Sequence, residues 1–184
     1  MRGATGKWDR RVAGPGVKSM AQILSLLVEN KAGVLSRVVG LFGQQECNIE
    51  SLNVAPTSDP TRGRITLATE AEPQKLEQIT NELSQLADVI SVIPYNPIVH
   101  VVREMALVRV QIREENRAEV LALSEVFRAR VVDASPQSYI FEVTGQSEKV
   151  DAFLQNMGVY GISEVHRTGK LALTRGVAGE KNNR

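Results

Sequence analysis

Ile23-Leu24-Ser25-Leu26-Leu27-Val28-Glu29-Asn30-Lys31-Ala32-Gly33-Val34-Leu35-Ser36-Arg37-Val38-Val39-Gly40-Leu41-Phe42 changes its period half-way, and the fold follows from that change. The first six residues are a short apolar run closed by a polar turn, the pattern of a buried strand. Past Gly33, the residues Val34, Leu35, Val38, Val39 and Phe42 recur at the spacing of one helix face, and Gly43 stands where such a helix would stop. A strand therefore passes through a glycine-containing turn into a helix.

Further along, residues 47–54 read as a second strand, and Asp59-Pro60-Thr61-Arg62-Gly63 as a turn. Ile65, Leu67 and Thr69 then alternate with Arg64, Thr66 and Ala68, which predicts a half-buried third strand paired with the second in a hairpin. Pro73 suits the first turn of a second helix whose Leu76, Ile79, Leu83 and Leu86 share a face, and residues 89–93 supply a last strand. The order over 21–95 is βαββαβ.

Pro94-Tyr95-Asn96-Pro97 interrupts both periods and predicts a boundary, because each proline biases its predecessor away from helix. The same order returns over 98–175. Val108, Val110 and Ile112 alternate in a strand, Val120, Leu123 and Phe127 mark a helix, and 130–133 with Tyr139, Phe141 and Val143 give two strands around Ser135-Pro136. Val150, Phe153, Leu154 and Met157 mark another helix, and residues 161–167 the final strand. The expected class is α+β: two ferredoxin-like βαββαβ sandwiches in tandem, each an antiparallel four-stranded sheet with two helices on one face.

Composition is that of an ordinary globular chain, 184 residues with 42% hydrophobic and 23% charged. One cysteine excludes a disulfide framework and fits a reducing, cytoplasmic setting, and 4% aromatics offers no base-stacking surface. Arg2, Lys7, Arg10, Arg11 and Lys18 oppose only Asp9 in the first twenty residues, so the body is slightly acidic and no nucleic-acid footprint is expected. No apolar run approaches the ~20 residues of a membrane helix. Residues 1–20, aperiodic and broken by Gly14-Pro15-Gly16, are expected to be a disordered leader with Met20 as an alternative start, and the polar stretch 176–184 a disordered tail.

Catalytic signatures are missing: no nucleophile elbow, phosphate-binding loop, dinucleotide fingerprint or zinc helix. His100 and His166 stand alone and read as packing residues, Cys47 as a small apolar one, and Glu114-Glu115 as acids suited to a helix start. What stands out is the turn at Asn30 and Gly33. A helix start carries unpaired N–H groups and partial positive charge, so this turn can hold a carboxylate, with the Asn30 amide adding a neutral hydrogen bond. The same glycine would equally serve a plain strand-to-helix turn, and both readings stand on the motif alone.

Residues 21–95 resemble the ACT domain, a small-molecule-sensing module marked by that glycine. They resemble in particular the family of acetolactate synthase small subunits, through Glu29-Asn30, Gly33, Leu35-Ser36-Arg37-Val38, Gly40-Leu41-Phe42, Asn48-Ile49-Glu50-Ser51-Leu52 and Val54-Ala55-Pro56-Thr57. Weaker stretches, among them Ile140-Phe141-Glu142-Val143-Thr144-Gly145, carry the likeness to about residue 176. The resemblance implies a regulatory subunit without an active site. Such a subunit binds a large catalytic subunit that carries thiamine diphosphate, flavin (FAD) and magnesium (Mg), activates it, and confers feedback inhibition by valine in branched-chain amino acid synthesis. No cofactor is then expected here. It further implies a homodimer with the effector between two ACT domains, Asn30, Gly33, Val34 and Leu35 on the turn side and Asn48 and Ile49 on the partner side. The second domain is assigned to contact with the catalytic subunit.

Overall fold

The computed structural model describes residues 22–96, 98 and 100–175, so the expected leader and tail lie outside the described residues, as does Pro97. The chain forms two compact units, one of residues 22–102 with 169–175, the other of 103–168.

The first unit runs β1 (Gln22–Glu29), α1 (Val34–Gln44), β2 (Ile49–Pro56), β3 (Arg62–Thr69), α2 (Pro73–Ser84) and β4 (Val89–Pro94), with strand order β2-β3-β1-β4 and every pairing antiparallel. Alternation on β1 and β3 aims Leu24, Leu26, Val28, Ile65 and Leu67 at Val38 and Phe42 of α1 and Leu76, Ile79 and Leu83 of α2. Most of these side chains are fully buried, each stabilising the fold by about 1.5–3 kcal/mol. Pro73 occupies the first helical turn, where its missing N–H costs nothing.

Two local expectations shift. Gly43 does not end α1. The left-handed position falls on Glu46 (φ 51), and the amides of Glu46 and Cys47 turn back to the carbonyls of Gly43 and Phe42 to close the helix. Nor is β3 half-buried: Thr66 and Ala68, on the face away from the helices, are 3% and 0% exposed. That face is covered by Tyr95, Val102 and Ala172, which pack on Ile23 and Ala68, while the Tyr95 hydroxyl donates to the Ala172 carbonyl at 3.0 Å. Ala172 belongs to a strand absent from the repeat, β9 (Leu171–Thr174), which pairs with β5 and belongs to the first unit. Its entry is tight. Gly169 has φ +77, and a Cβ there would fall 2.5 Å from that of Ser51, whose hydroxyl accepts the Lys170 amide at 3.2 Å.

The second unit repeats the pattern with β5 (His100–Gln111), α3 (Arg117–Val126), β6 (Arg130–Ala134), β7 (Ser138–Gly145), α4 (Ser147–Met157) and β8 (Ile162–Arg167), ordered β6-β7-β5-β8. β5 is longer than the alternation at Val108 and Val110 suggests, and Ile112 lies just beyond it. Phe127 caps α3 instead of lying within it, and stacks edge-on against Phe153, itself edge-on to Phe141, with centroids 5.5 and 6.1 Å apart. Arg128 (φ 50) closes α3 as Glu46 closes α1. Glu104, 4% exposed, accepts from Arg167 Nε and Nη2 at 2.5 and 2.8 Å and from the Ser147 hydroxyl at 2.9 Å. Arg167 also reaches Asp151 at 2.6 Å. Glu104, and secondarily Asp151, hold the Arg167 guanidinium's pKa above its ordinary value.

Candidate functional site

The turn between β1 and α1 is built around a backbone that glycine alone adopts without strain, Gly33 at φ 84 and ψ −13. That conformation bends the chain so that α1 starts without a side-chain cap and without an acid in its first turn. The amides of Leu35 and Ser36 are left at the positive end of the helix for an anion. Lys31 and Arg37 add positive charge beside it, each in an ion pair, with Glu29 and Asp88 respectively. The Glu29 carboxylate, by hydrogen bond and charge, raises the Lys31 pKa.

Asn30 is fixed by the neighbouring turn of residues 57–62. Its amide Nδ2 donates to the Pro60 carbonyl at 3.0 Å and its backbone N–H to the Thr61 carbonyl at 2.8 Å. That turn is itself tied down. Asp59 accepts from the Thr61 hydroxyl and amide and pairs with Arg62, and the Thr61 hydrogen bonds hold its carboxyl below the usual carboxylate range.

Beside the turn lies a half-open concavity of about 190 Å³. Of the expected effector residues Asn30, Val34 and Leu35 line it and Gly33 does not, and Val28, Val54, Ala55, Pro56, Gly63 and Ile65, which sequence reading did not name, line it too. The missed residues come from strands adjacent in the sheet rather than in the chain, and the Val28–Gly63 and Gly63–Pro56 pairings bring them together. The volume is small beside the ~300–1,000 Å³ of drug-sized sites and suits a small molecule. A larger concavity of about 410 Å³, between α2 and the end of β4, is lined by Pro73, Leu76 and Pro94 and lies away from the turn amides.

Asn48 and Ile49 are not part of this cluster. Ile49 pairs with Thr69 at the opposite end of β3 from Gly63, six residues or ~20 Å along the strand. Asn48 is exposed, and its carbonyl accepts from the Thr69 hydroxyl at 2.6 Å. In the second unit the equivalent helix start, α3, likewise has no side-chain cap but lacks the glycine and follows a turn rich in acids. The Asn116 amide oxygen accepts the Arg113 N–H at 2.8 Å, and Glu114 and Glu115 place negative charge where an anion would sit. His166 pairs with Glu164 on the second sheet, His100 stacks on Tyr95, and Cys47 packs partly buried on the first core. No group of three metal-ligating side chains occurs among the described residues, and no helix there is long and apolar enough to cross a membrane.

A βαββαβ unit with an uncapped glycine turn at its first helix, followed by a second such unit whose equivalent turn is acidic and lacks the glycine, has the architecture of an ACT-type regulatory protein. Residues 24–91 match the AHAS small subunit-like ACT domain, and residues 103–176 match the family described as small subunit of acetolactate synthase. The chain belongs to the acetolactate synthase small-subunit family. It is 46% identical over 158 residues to the acetolactate synthase isozyme 3 small subunit of Salmonella typhimurium, covering 85% of this chain and 97% of the relative. It is 43% identical over 164 residues to the acetolactate synthase small subunit of Haemophilus influenzae, covering 89% and 99%. The crystal structure of the small subunit from Thermotoga maritima superposes with a TM-score of 0.79 at 34% identity, over 85% of this chain and 98% of that one.

Proposed function

We propose that this chain associates with the large catalytic subunit of acetolactate synthase, raises its activity, and makes it subject to inhibition by valine. The observation that carries the effector reading is the uncapped α1 start opening beside an apolar concavity. A valine zwitterion needs N–H donors for its carboxylate, an oxygen acceptor for its ammonium and an apolar pocket for its branched side chain. The Leu35 and Ser36 amides, the Asn30 Oδ1, and Val34, Leu35, Val54 and Ile65 supply these in turn.

The site we propose lies between two subunits of a homodimer. Asn48 and Ile49 are ~20 Å along the sheet from the turn of their own chain, too far for one amino acid to touch both sets. A second subunit contributing Asn48 and Ile49 opposite Gly33 removes that difficulty and gives β2, an edge strand with Val54 exposed, a partner. The acids Glu114 and Glu115 ahead of α3, unfavourable to a bound carboxylate, support a single effector site per chain. Thiamine diphosphate, FAD and magnesium are then cofactors of the catalytic partner, and this subunit holds none.

The test is reconstitution with the large subunit. Activation on mixing, valine inhibition that needs both chains, and a valine-induced shift toward dimer in sedimentation are the expected results. Pyruvate turnover by this chain alone, or a monomer indifferent to saturating valine, overturns the reading.

A further inference from the structure

Arg37 closes the first turn of α1, where the helix's own field disfavours a cation, and no acid of that turn balances it. Helical side chains lean toward the N-terminus, so its guanidinium lies back over the glycine turn, with Nη1 3.2 Å from where a Cβ on Gly33 would stand. Nη2 is taken by the carboxylate of Asp88, which comes from the loop between α2 and β4, 51 residues away in the chain. Asp88 is anchored by its backbone, since its carbonyl accepts the Glu29 N–H at 2.9 Å. The carboxylate is therefore presented to the turn from a fixed position.

We infer that Asp88 is an internal competitor for the effector's carboxylate. It holds Arg37 while the site is free and yields it to an α-amino acid carboxylate arriving at the Leu35 and Ser36 amides. Asp88 is then a positioning residue that sets the effector concentration at which the site fills, and Arg37 is the group that meets the anion. Two observations favour this over a structural clamp. The main-chain bond to Glu29 already ties the loop to the end of β1 without the Asp88 side chain. The paired side chains are 48% and 23% exposed, so the pair adds little stability and exchanges partners at little desolvation cost, yet it cancels positive charge that the turn would offer an anion.

The inference rests on the reading that valine binds at this turn, and the experiment separates the two. Wild type, Asp88→Asn, Asp88→Ser, Asp88→Glu and Arg37→Gln are each reconstituted with the large subunit of the same organism and titrated with valine, with circular dichroism to confirm folding. Asp88→Asn keeps an oxygen acceptor and removes the charge, so its inhibition midpoint should fall by roughly threefold, the scale of an exposed ion pair. Asp88→Ser should move it the same way, and Asp88→Glu, which keeps the competing charge, should stay close to wild type. Arg37→Gln should raise the midpoint, and all these shifts should shrink in high salt. A clamp predicts the opposite sign for the neutral variants. An unchanged or raised midpoint in folded Asp88→Asn or Asp88→Ser overturns the competitor role, as does a wild-type midpoint in Arg37→Gln. Unfolding of both neutral variants makes the pair structural and overturns it too. A wild-type subunit that activates but confers no valine inhibition overturns the effector reading itself, and the inference with it.

Discussion

Replacing Gly33 with aspartate puts two separable penalties on the turn. The backbone sits at φ 84, which costs a residue with a Cβ about 1–2 kcal/mol, toward the low end for aspartate. A Cβ there also comes 3.2 Å from the Arg37 guanidinium, a flexible group able to shift, so the steric part is modest. The second penalty is electrostatic. A carboxylate beside the Leu35 and Ser36 amides occupies the anion position itself, and a ligand carboxylate ~4 Å away meets a repulsion of about 1 kcal/mol in water and ~4 kcal/mol at an effective dielectric near 20. Partial neutralisation by Arg37 brings the electrostatic part to about 2 kcal/mol, more than tenfold in affinity, whereas the backbone strain, present with and without ligand, lowers stability instead. Gly33→Ala shares the backbone strain but not the charge, so the difference between the two variants measures the anion site. The assay is the valine dose-response of reconstituted enzyme with wild type, Gly33→Ala and Gly33→Asp, alongside urea unfolding of each subunit. We expect both variants to fold, to activate, and to lose inhibition in the order aspartate over alanine. An unchanged inhibition midpoint for folded Gly33→Asp refutes the anion site. Joint loss of activation and inhibition refutes the separation of effector turn from catalytic-subunit contact.

Glu104→Gln should destabilise the chain by about 2–3 kcal/mol in urea unfolding, because it removes the doubly bonded partner of Arg167; Asp151 and partial solvent access keep the loss below the ~3–5 kcal/mol of a fully buried pair. Gly169→Ala combines left-handed strain with the 2.5 Å approach to Ser51 and should cost about 2–3 kcal/mol, partly restored by Ser51→Gly in a double-mutant cycle. Glu164 is held below the usual carboxylate range by His166 first and Arg109 second, so the stability it adds is complete above its unfolded pKa of about 4.3 and fades as pH falls through its lower folded value. His166→Gln should raise the Glu164 pKa in an NMR titration, and an unmoved carboxyl would show that Arg109 alone sets it.

The repeat was legible because each element is amphipathic on its own period: Leu76, Ile79 and Leu83 need only α2 to be recognised as a face, and Phe141 and Val143 need only β7. The glycine turn was legible for the same reason, being local. Burial of Ala68 was not, since Tyr95, Val102 and Ala172, which cover it, all lie outside its own hairpin, and Leu171-Ala172-Leu173 carries too short a period to announce a strand. Pro94 and Pro97 suggested a division of the chain there, whereas residues 100–102 and 169–175 pack with the first unit, so a fragment ending at residue 95 would lose Val102 and Ala172 from the cluster of Ile23, Ala68 and Tyr95. The ends of α1 and α3 were misread because left-handed closure was assigned to glycine, whereas Glu46 and Arg128 adopt it. The wall of the concavity formed by Val54, Pro56 and Ile65 depends on strand register, which no single segment encodes.

Among the described residues the first unit is discontinuous in sequence, whereas the second is one uninterrupted stretch, and this sets an order of events during synthesis. When residue 102 leaves the ribosome the first sheet can form, but the strand that covers Ile23 and Ala68 lies roughly 65 residues downstream, about 3–13 s away at ~5–20 residues per second. In that interval the second unit can fold as a contiguous domain while the first has Tyr95 and Val102 on Ile23 and Ala68 but not yet Ala172. Protection of the Tyr95 region in nascent chains should therefore rise in a second step, when Leu171-Ala172-Leu173 emerges. A regulator assembled this way completes its first unit only after the second has been made.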